Sequence, residues 1–131
     1  MEAALIAKLL ASAGVTVLTG TRINWLRRPQ AEALPAVVLQ RIDGRPDVHH
    51  GGRSGLVESR VQVDVWAKSF KAAKDIARAI ETAVCAQAFT QGAIRFDVIL
   101  LVDERDSTED AQPDNYFRTS LDLMVLHAAA S

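Results

Sequence analysis

The sequence predicts an α+β fold: a single antiparallel β-sheet of about four strands with two helices packed on one face. Three observations lead there. Residues 56–67 alternate strictly, with Val57, Val61, Val63 and Val65 on one side and Glu58, Arg60, Gln62 and Asp64 on the other. Directly after them, Ala73, Ile76, Ala77, Ile80, Ala83 and Val84 recur at helical spacing, opposite Lys71, Lys74, Asp75, Arg78 and Glu81. The other strand-like segments are joined by polar loops and not by helical crossovers, which favours antiparallel neighbours.

The elements are justified in order. Ala4, Leu5, Leu9 and Ala13, with Ile6 and Leu10 beside them, give a first helix its apolar side, and Gly14 is a natural C-terminal stop. Thr19, Gly20 and Thr21 read as a turn, and 22–30 (RINWLRRPQ) as a short extended piece closed by Pro29. Residues 34–43 (LPAVVLQRID) read as a strand, with Pro35 at its start, where a missing amide donor does least harm. Residues 44–55 (GRPDVHHGGRSG), rich in glycine, proline and aspartate, read as a long loop. Beyond the 56–67 strand, Ser69 is a natural N-cap for the next helix. Gly92 punctuates the chain, 93–105 make a third strand, and 106–115 (DSTEDAQPDN) an acidic loop. In the last strand, 116–127, Phe117, Leu121, Leu123 and Val125 take one face and Arg118, Ser120 and Asp122 the other. The valine face and the helix stripe are expected to be the two halves of one core, with apolar burial its main stabilising term.

Composition narrows the function classes. The 131 residues suit one domain, taken as 1–131, and can bury a core without staples. With 49% apolar and 24% charged residues, the balance is that of a globular domain. A net charge of −1 gives no general pull toward nucleic acid or an anionic membrane, and sparse aromatics weigh against a nucleic-acid-binding module. The lone Cys85 allows no internal disulfide, points to a reducing compartment and excludes a zinc site built on cysteines. Glu2 stands where a signal peptide needs a basic residue and Lys8 interrupts the apolar run, so the N-terminus is read as a helix of the mature protein. The longest apolar run, Val98 to Val102, is strand-sized, and no membrane association is expected.

Residues that could carry chemistry are few. His49 and His50 lack a third ligand at a recognisable spacing and read as solvated; His127 has no evident partner. Cys85, between Val84 and Ala86, lacks the basic neighbour a nucleophile needs. Asp103, Glu104, Asp106, Glu109 and Asp110 could hold a divalent cation, but they lack the spacing and glycine of a calcium loop and read as a solvated acidic run. The glycines of 51–55 (GGRSG) lack the ending of a phosphate-binding loop. No catalytic, cofactor-binding or metal residue is assigned.

The polar sheet face has two open readings: a solvated surface with cross-strand ion pairs, or a face that docks on another copy of the chain. Its candidate interface residues are Glu58, Arg60, Gln62, Asp64, Trp66, Arg118 and Asp122, with Asp47 and Arg53 from the first loop. Trp66, on the polar side at the strand's end, either marks a contact surface or caps the core.

Taken together, GTRINW, LPAVVLQRIDG, GLVESRVQVDVWAKSFKAAKDIARAI, DERD and YFRTSLDLMVLH resemble the tail-completion, or tail-terminator, proteins of long-tailed phages, prophages and gene transfer agents. The resemblance spans nearly the whole chain; SRVQVDVWA followed at once by a helix, and LPAVVL, are its most specific pieces. It implies a structural protein that caps the head-proximal end of a tail tube as a ring, commonly hexameric, ends tube growth and presents a surface to the head. The implied partners are further copies of itself, the tail tube protein and the head–tail connector protein, with DNA only as passing cargo. It implies no catalysis and no cofactor, and a place in the virion tail or neck after assembly in the host cytoplasm. The alternatives are a head-closure or connector neck protein, and a small-ligand-binding or enzymatic α+β domain, which would need a pocket of converging polar groups.

Overall fold

In a computed structural model, which describes residues 1–26, 34–49, 52–85, 88–110 and 115–129, the chain begins with two short helices in place of one. Helix α1 (Glu2–Leu10) and helix α2 (Ala13–Thr19) meet at a bend of 83°. Ser12 makes the corner. Its hydroxyl donates to the Lys8 carbonyl at 2.8 Å, and its extended backbone is the N-cap of α2. Gly14 therefore lies inside α2, and the stop is Gly20, whose φ of +60° costs glycine little.

The strands are β1 (Ile23–Trp25), β2 (Ala36–His49) and β3 (Gly52–Ala67), then β4 (Phe89–Gln91), β5 (Ile94–Asp110) and β6 (Asn115–Ala129). Between β3 and β4 runs helix α3 (Phe70–Cys85). One sheet holds all six in the order β1-β2-β3-β6-β5-β4. The β1–β2 pair is parallel and the others are antiparallel.

This corrects the expected architecture. The α+β class stands, but the sheet is mixed, six-stranded and curled into a half-barrel, with three helices among the described residues. Each difference has a cause. β1 and β4 are three residues long, too short to display an alternation. The stretches expected to be loops at 44–55 and 106–115 are mostly strand. β2 and β3 pair out to His49 and Gly52, and β5 and β6 out to Asp110 and Asn115. Glycine, proline and aspartate mark turns in isolation, but here the ladder of the buried segments carries on through them. Pro46 sits beside a register shift, where a missing N–H interrupts least. Further shifts occur at Ile42 in β2 and at Asp97 and Val102 in β5. Such bulges bend strands and raise twist, the local means of curling a sheet.

The two hairpins point opposite ways. The described ladder of β3 with β6 ends at Val57 and His127, so the distal part of β2–β3 continues as a two-stranded arm. At the other end, β3 and β6 pair as far as Ala67 and Phe117, and β5–β6 continues beyond.

The core lies between the inner face of the sheet and the helices. β3 contributes Val61, Val63 and Val65, β6 Leu121, Leu123 and Val125, and α3 Ala73, Ile76, Ala77, Ile80 and Val84; all are buried. Leu5 and Leu9 of α1 and Val15 of α2 complete it. Ser69 caps α3, its hydroxyl accepting from the Ala72 amide at 3.1 Å. Gly92, at φ +60°, turns β4 into β5.

His127, for which the sequence shows no partner, is buried beside Ser59 with Nε2 2.9 Å from the hydroxyl. Burial, and after it the nearby N-terminal ammonium, hold its pKa below the ordinary 6.5, with Glu2 pulling the other way and Arg41 adding to the depression. The folded chain thus prefers the neutral ring, while the unfolded chain takes up a proton as the pH falls through 6.5. The associated stability is complete above that pH and declines below it.

Two outcomes are expected. Val63→Asp places an unpaired carboxylate in the core and costs about 3–5 kcal/mol or more. Its thermal melt by circular dichroism should show no native transition at neutral pH; an unchanged melt would mean the strand faces are reversed. For wild type, the melting temperature should drop more steeply than for His127→Gln between about pH 7 and about pH 5.5. Parallel slopes would remove His127 as the source.

Candidate assembly surface

The nominated polar residues meet on the outer face of the sheet, away from the helices. Alternation along β3 puts Glu58, Arg60, Gln62, Asp64 and Trp66 there. Register with β6 sets Arg118 opposite Trp66, Ser120 opposite Asp64, Asp122 opposite Gln62 and Met124 opposite Arg60. Arg60 lies 3.7 Å from Asp122. The Arg118 guanidinium stands 5.1 Å from the centre of the Trp66 ring, so Trp66 stacks under a cation and is not one of the side chains packed on the core. Ser120 donates to Asp64 at 2.6 Å, and the Gln62 amide donates to the same carboxylate at 3.0 and 3.2 Å. Asp47 and Arg53 lie on the backbone of the β2–β3 arm, and their side chains fall outside the described residues.

Sequence reasoning missed Arg105. Its guanidinium donates to Asp103 at 2.8 Å and to Asp122 at 2.9 Å, so Asp122 is shared by arginines from β3 and β5. A strict period of two would put Arg105 on the face of Ile99 and Leu101. The bulge at Val102 reverses the parity, so Glu104 continues the inner face and Arg105 turns outward. The only cue was an unbroken apolar run, 98–102, in which no alternation can be read. Beside the charges lies an apolar strip: Val98 opposite Leu126, and Leu100 opposite Met124.

The acidic run reads differently in three dimensions. Glu104 and Asp106, on the inner side of β5, bind the α3 cations. Lys74 reaches both, at 3.0 Å for Asp106, and Arg78 reaches Glu104. Burial alone would raise the Glu104 carboxyl; hydrogen bonds and charge from Lys74 and Arg78 outweigh it and hold the carboxyl below its ordinary value. These acids fasten a helix to a strand. Among the described residues, no group of three or more His, Cys, Asp and Glu is arranged to hold a metal ion. At Cys85, burial and then the Glu81 charge push the thiol up, opposite to what a nucleophile needs. His49 ends β2 with its side chain outside the described residues, as is His50 altogether.

Among the concavities along the described part of the sheet, two carry an acidic side chain. A depression of about 160 Å³ on the outer face is floored by Ile42, Arg60, Gln62 and Asp122, whose charges already pair. A groove of about 510 Å³ between α1 and β1 is lined mainly by Ile6, Ala7, Leu10, Ile23 and Trp25, with Glu2 as its titratable residue. Neither brings together an acid and a base poised for proton transfer.

No curated protein matches the chain. Among solved structures, a chain of the "Virion of native gene transfer agent (GTA) particle" aligns with a TM-score of 0.77 over 98% of this chain and 95% of that one. At 19% identity that likeness is one of fold. A family model described as tail completion protein gp17 matches residues 3–128, from within α1 to the penultimate residue of β6, and the chain belongs to that family.

Proposed function

We propose that this chain, as a single domain over 1–131, is a structural virion-assembly protein that caps the head-proximal end of a phage-type tail tube. In this reading it forms a ring, ends tube growth and joins the tail to the head connector, with no catalysis and no cofactor. Its partners are copies of itself, the tube protein and the connector; DNA passes through as cargo. It assembles in the host cytoplasm and ends in the virion tail or neck. The observation that carries this is the family match across residues 3–128, supported by a fold shared along nearly the full length with a gene transfer agent virion chain.

Physical features agree with the reading. The outer face carries both charge signs, already ordered by Arg60–Asp122–Arg105 and Arg118–Trp66, so a partner meets a preset pattern and side-chain ordering costs little on contact. The two hairpins project from opposite ends of the sheet, as a piece seated between two partners requires.

The decisive experiment is electron microscopy of tails assembled without this chain. Overlong tails are expected. Tails of normal length that fail to join heads would instead assign the chain to head closure, and unchanged, head-joined tails would overturn both. At the residue level, Arg60→Glu is expected to leave the melting temperature within about 1–2 °C of wild type, because an exposed pair contributes little. The same variant should reduce the yield of joined particles in a tail-completion assay. A wild-type yield would make the β3–β6 face plain solvent surface.

A further inference from the structure

Four elements converge where the β2–β3 arm leaves the sheet. β6 brings His127, and β3 brings Ser59, whose hydroxyl lies 2.9 Å from His127 Nε2. α1 brings the Met1 ammonium and Glu2, 3.4 Å apart, and β2 brings Arg41, 3.6 Å from Glu2. Aromatic rings flank the group. Phe96 of β5 stands 6.3 Å from the His127 ring, and Phe89 of β4 stacks on Phe96, with Lys8 of α1 over the Phe89 ring. One carboxylate thus already serves two cations beside a buried imidazole.

The backbone at the same level is built to bend. Val57–His127 is the last described pair between β3 and β6, and beyond it the described pairing of β3 is with β2. β2 has its bulge at Ile42, and Gly44, which faces Ser59 across the strands, adds no side chain to brace the crossing. A bulge redirects a ladder, and glycine restricts the backbone least. The His127–Ser59 bond therefore ties the body of the sheet to the strand entering the arm, at the point where their backbone pairing stops. Freeing the His127 ring requires fraying the end of that ladder, while Ala128 and Ala129 stay paired with β5 and the rows from Val61 inward stay closed.

We propose that these residues form an acid-released latch: with His127 neutral the β2–β3 arm is held to the sheet, and with His127 protonated the ladder end opens and the arm swings free. The charge balance gives the direction. In the closed state a cation on His127 would be the third, after the Met1 ammonium and Arg41, around the single carboxylate of Glu2, and it would lie out of water beside Phe96. In the open state the ring is hydrated and takes up a proton at its ordinary 6.5. The ratio of open to closed arm therefore rises as the pH falls through that value, by roughly tenfold at one unit below it if the closed ring stays neutral. The latch is a property of the fold and stands whether or not the chain caps a tail.

The test is hydrogen–deuterium exchange of the purified chain at about pH 7.5 and about pH 5.5, read by mass spectrometry and corrected for the pH dependence of free-amide exchange. Protection of peptides covering 44–49 and 52–57 is expected to fall roughly tenfold at the lower pH, while peptides from α3 and from Val61–Val65 keep theirs. His127→Gln, which keeps a hydrogen-bonding group and takes no proton, should show equal arm protection at both values. His49 and His50 also titrate in this range, so a chain carrying both His49→Gln and His50→Gln should still show the wild-type loss. The latch is overturned by a parallel loss in the arm and α3, by undiminished arm protection at the lower pH, by a loss that survives in His127→Gln, or by one that vanishes with His49 and His50. Should His127→Gln fail to fold by circular dichroism, Ser59→Ala takes its place. With the tie removed, arm protection at about pH 7.5 should already lie near the acid value of wild type, and wild-type protection there would equally sink the proposal.

Discussion

The packing of α3 on β3 is the constraint from which the rest of the molecule is set. Val61, Val63 and Val65 lie under Ile76, Ala77 and Ile80, and the turn between strand and helix is held by the Ser69 cap. Because side chains alternate with a period of two, burying those valines forces Glu58, Arg60, Gln62, Asp64 and Trp66 outward together. Register with β6 then fixes which groups meet them. The outer charge pattern of β3 is thus a consequence of the core: along β3, no outer residue could be moved to the other side in register without inverting the valines.

The α3 position depends on more than apolar contact. Lys74 and Arg78 reach Glu104 and Asp106 on β5, two strands away from β3, so the helix is tied across the sheet. The apolar stripe decides which side of α3 is buried; the ion pairs favour one placement along the strands. Partly buried and mutually hydrogen-bonded, they hold their charges better than isolated surface pairs do.

How much could be read in advance follows from signal length. The β3 and β6 faces and the α3 stripe were legible because each repeats its pattern several times. The polar set Glu58 to Trp66, Arg118 and Asp122 was legible for the same reason, although the partner of each residue was not. β1 and β4 were not legible, since three residues show no period. The break at Ser12 was hidden because apolar residues continue through it at helical spacing. The arms were masked by turn-forming residues whose local preference gives way to a ladder begun elsewhere. Arg105 was hidden by a bulge, a one-residue change of parity that leaves no compositional mark.

The opposed arms have a mechanical consequence. β3 belongs to the hairpin that leaves one end of the sheet and β6 to the hairpin that leaves the other, and the two strands are neighbours over Val57–Ala67. Tension drawing the hairpin tips apart slides these strands along each other. It loads the hydrogen bonds between them in parallel, whereas an unzipping geometry would break them in succession. Such a joint resists axial pull best along the line of its own strands and yields most readily to a sideways peel.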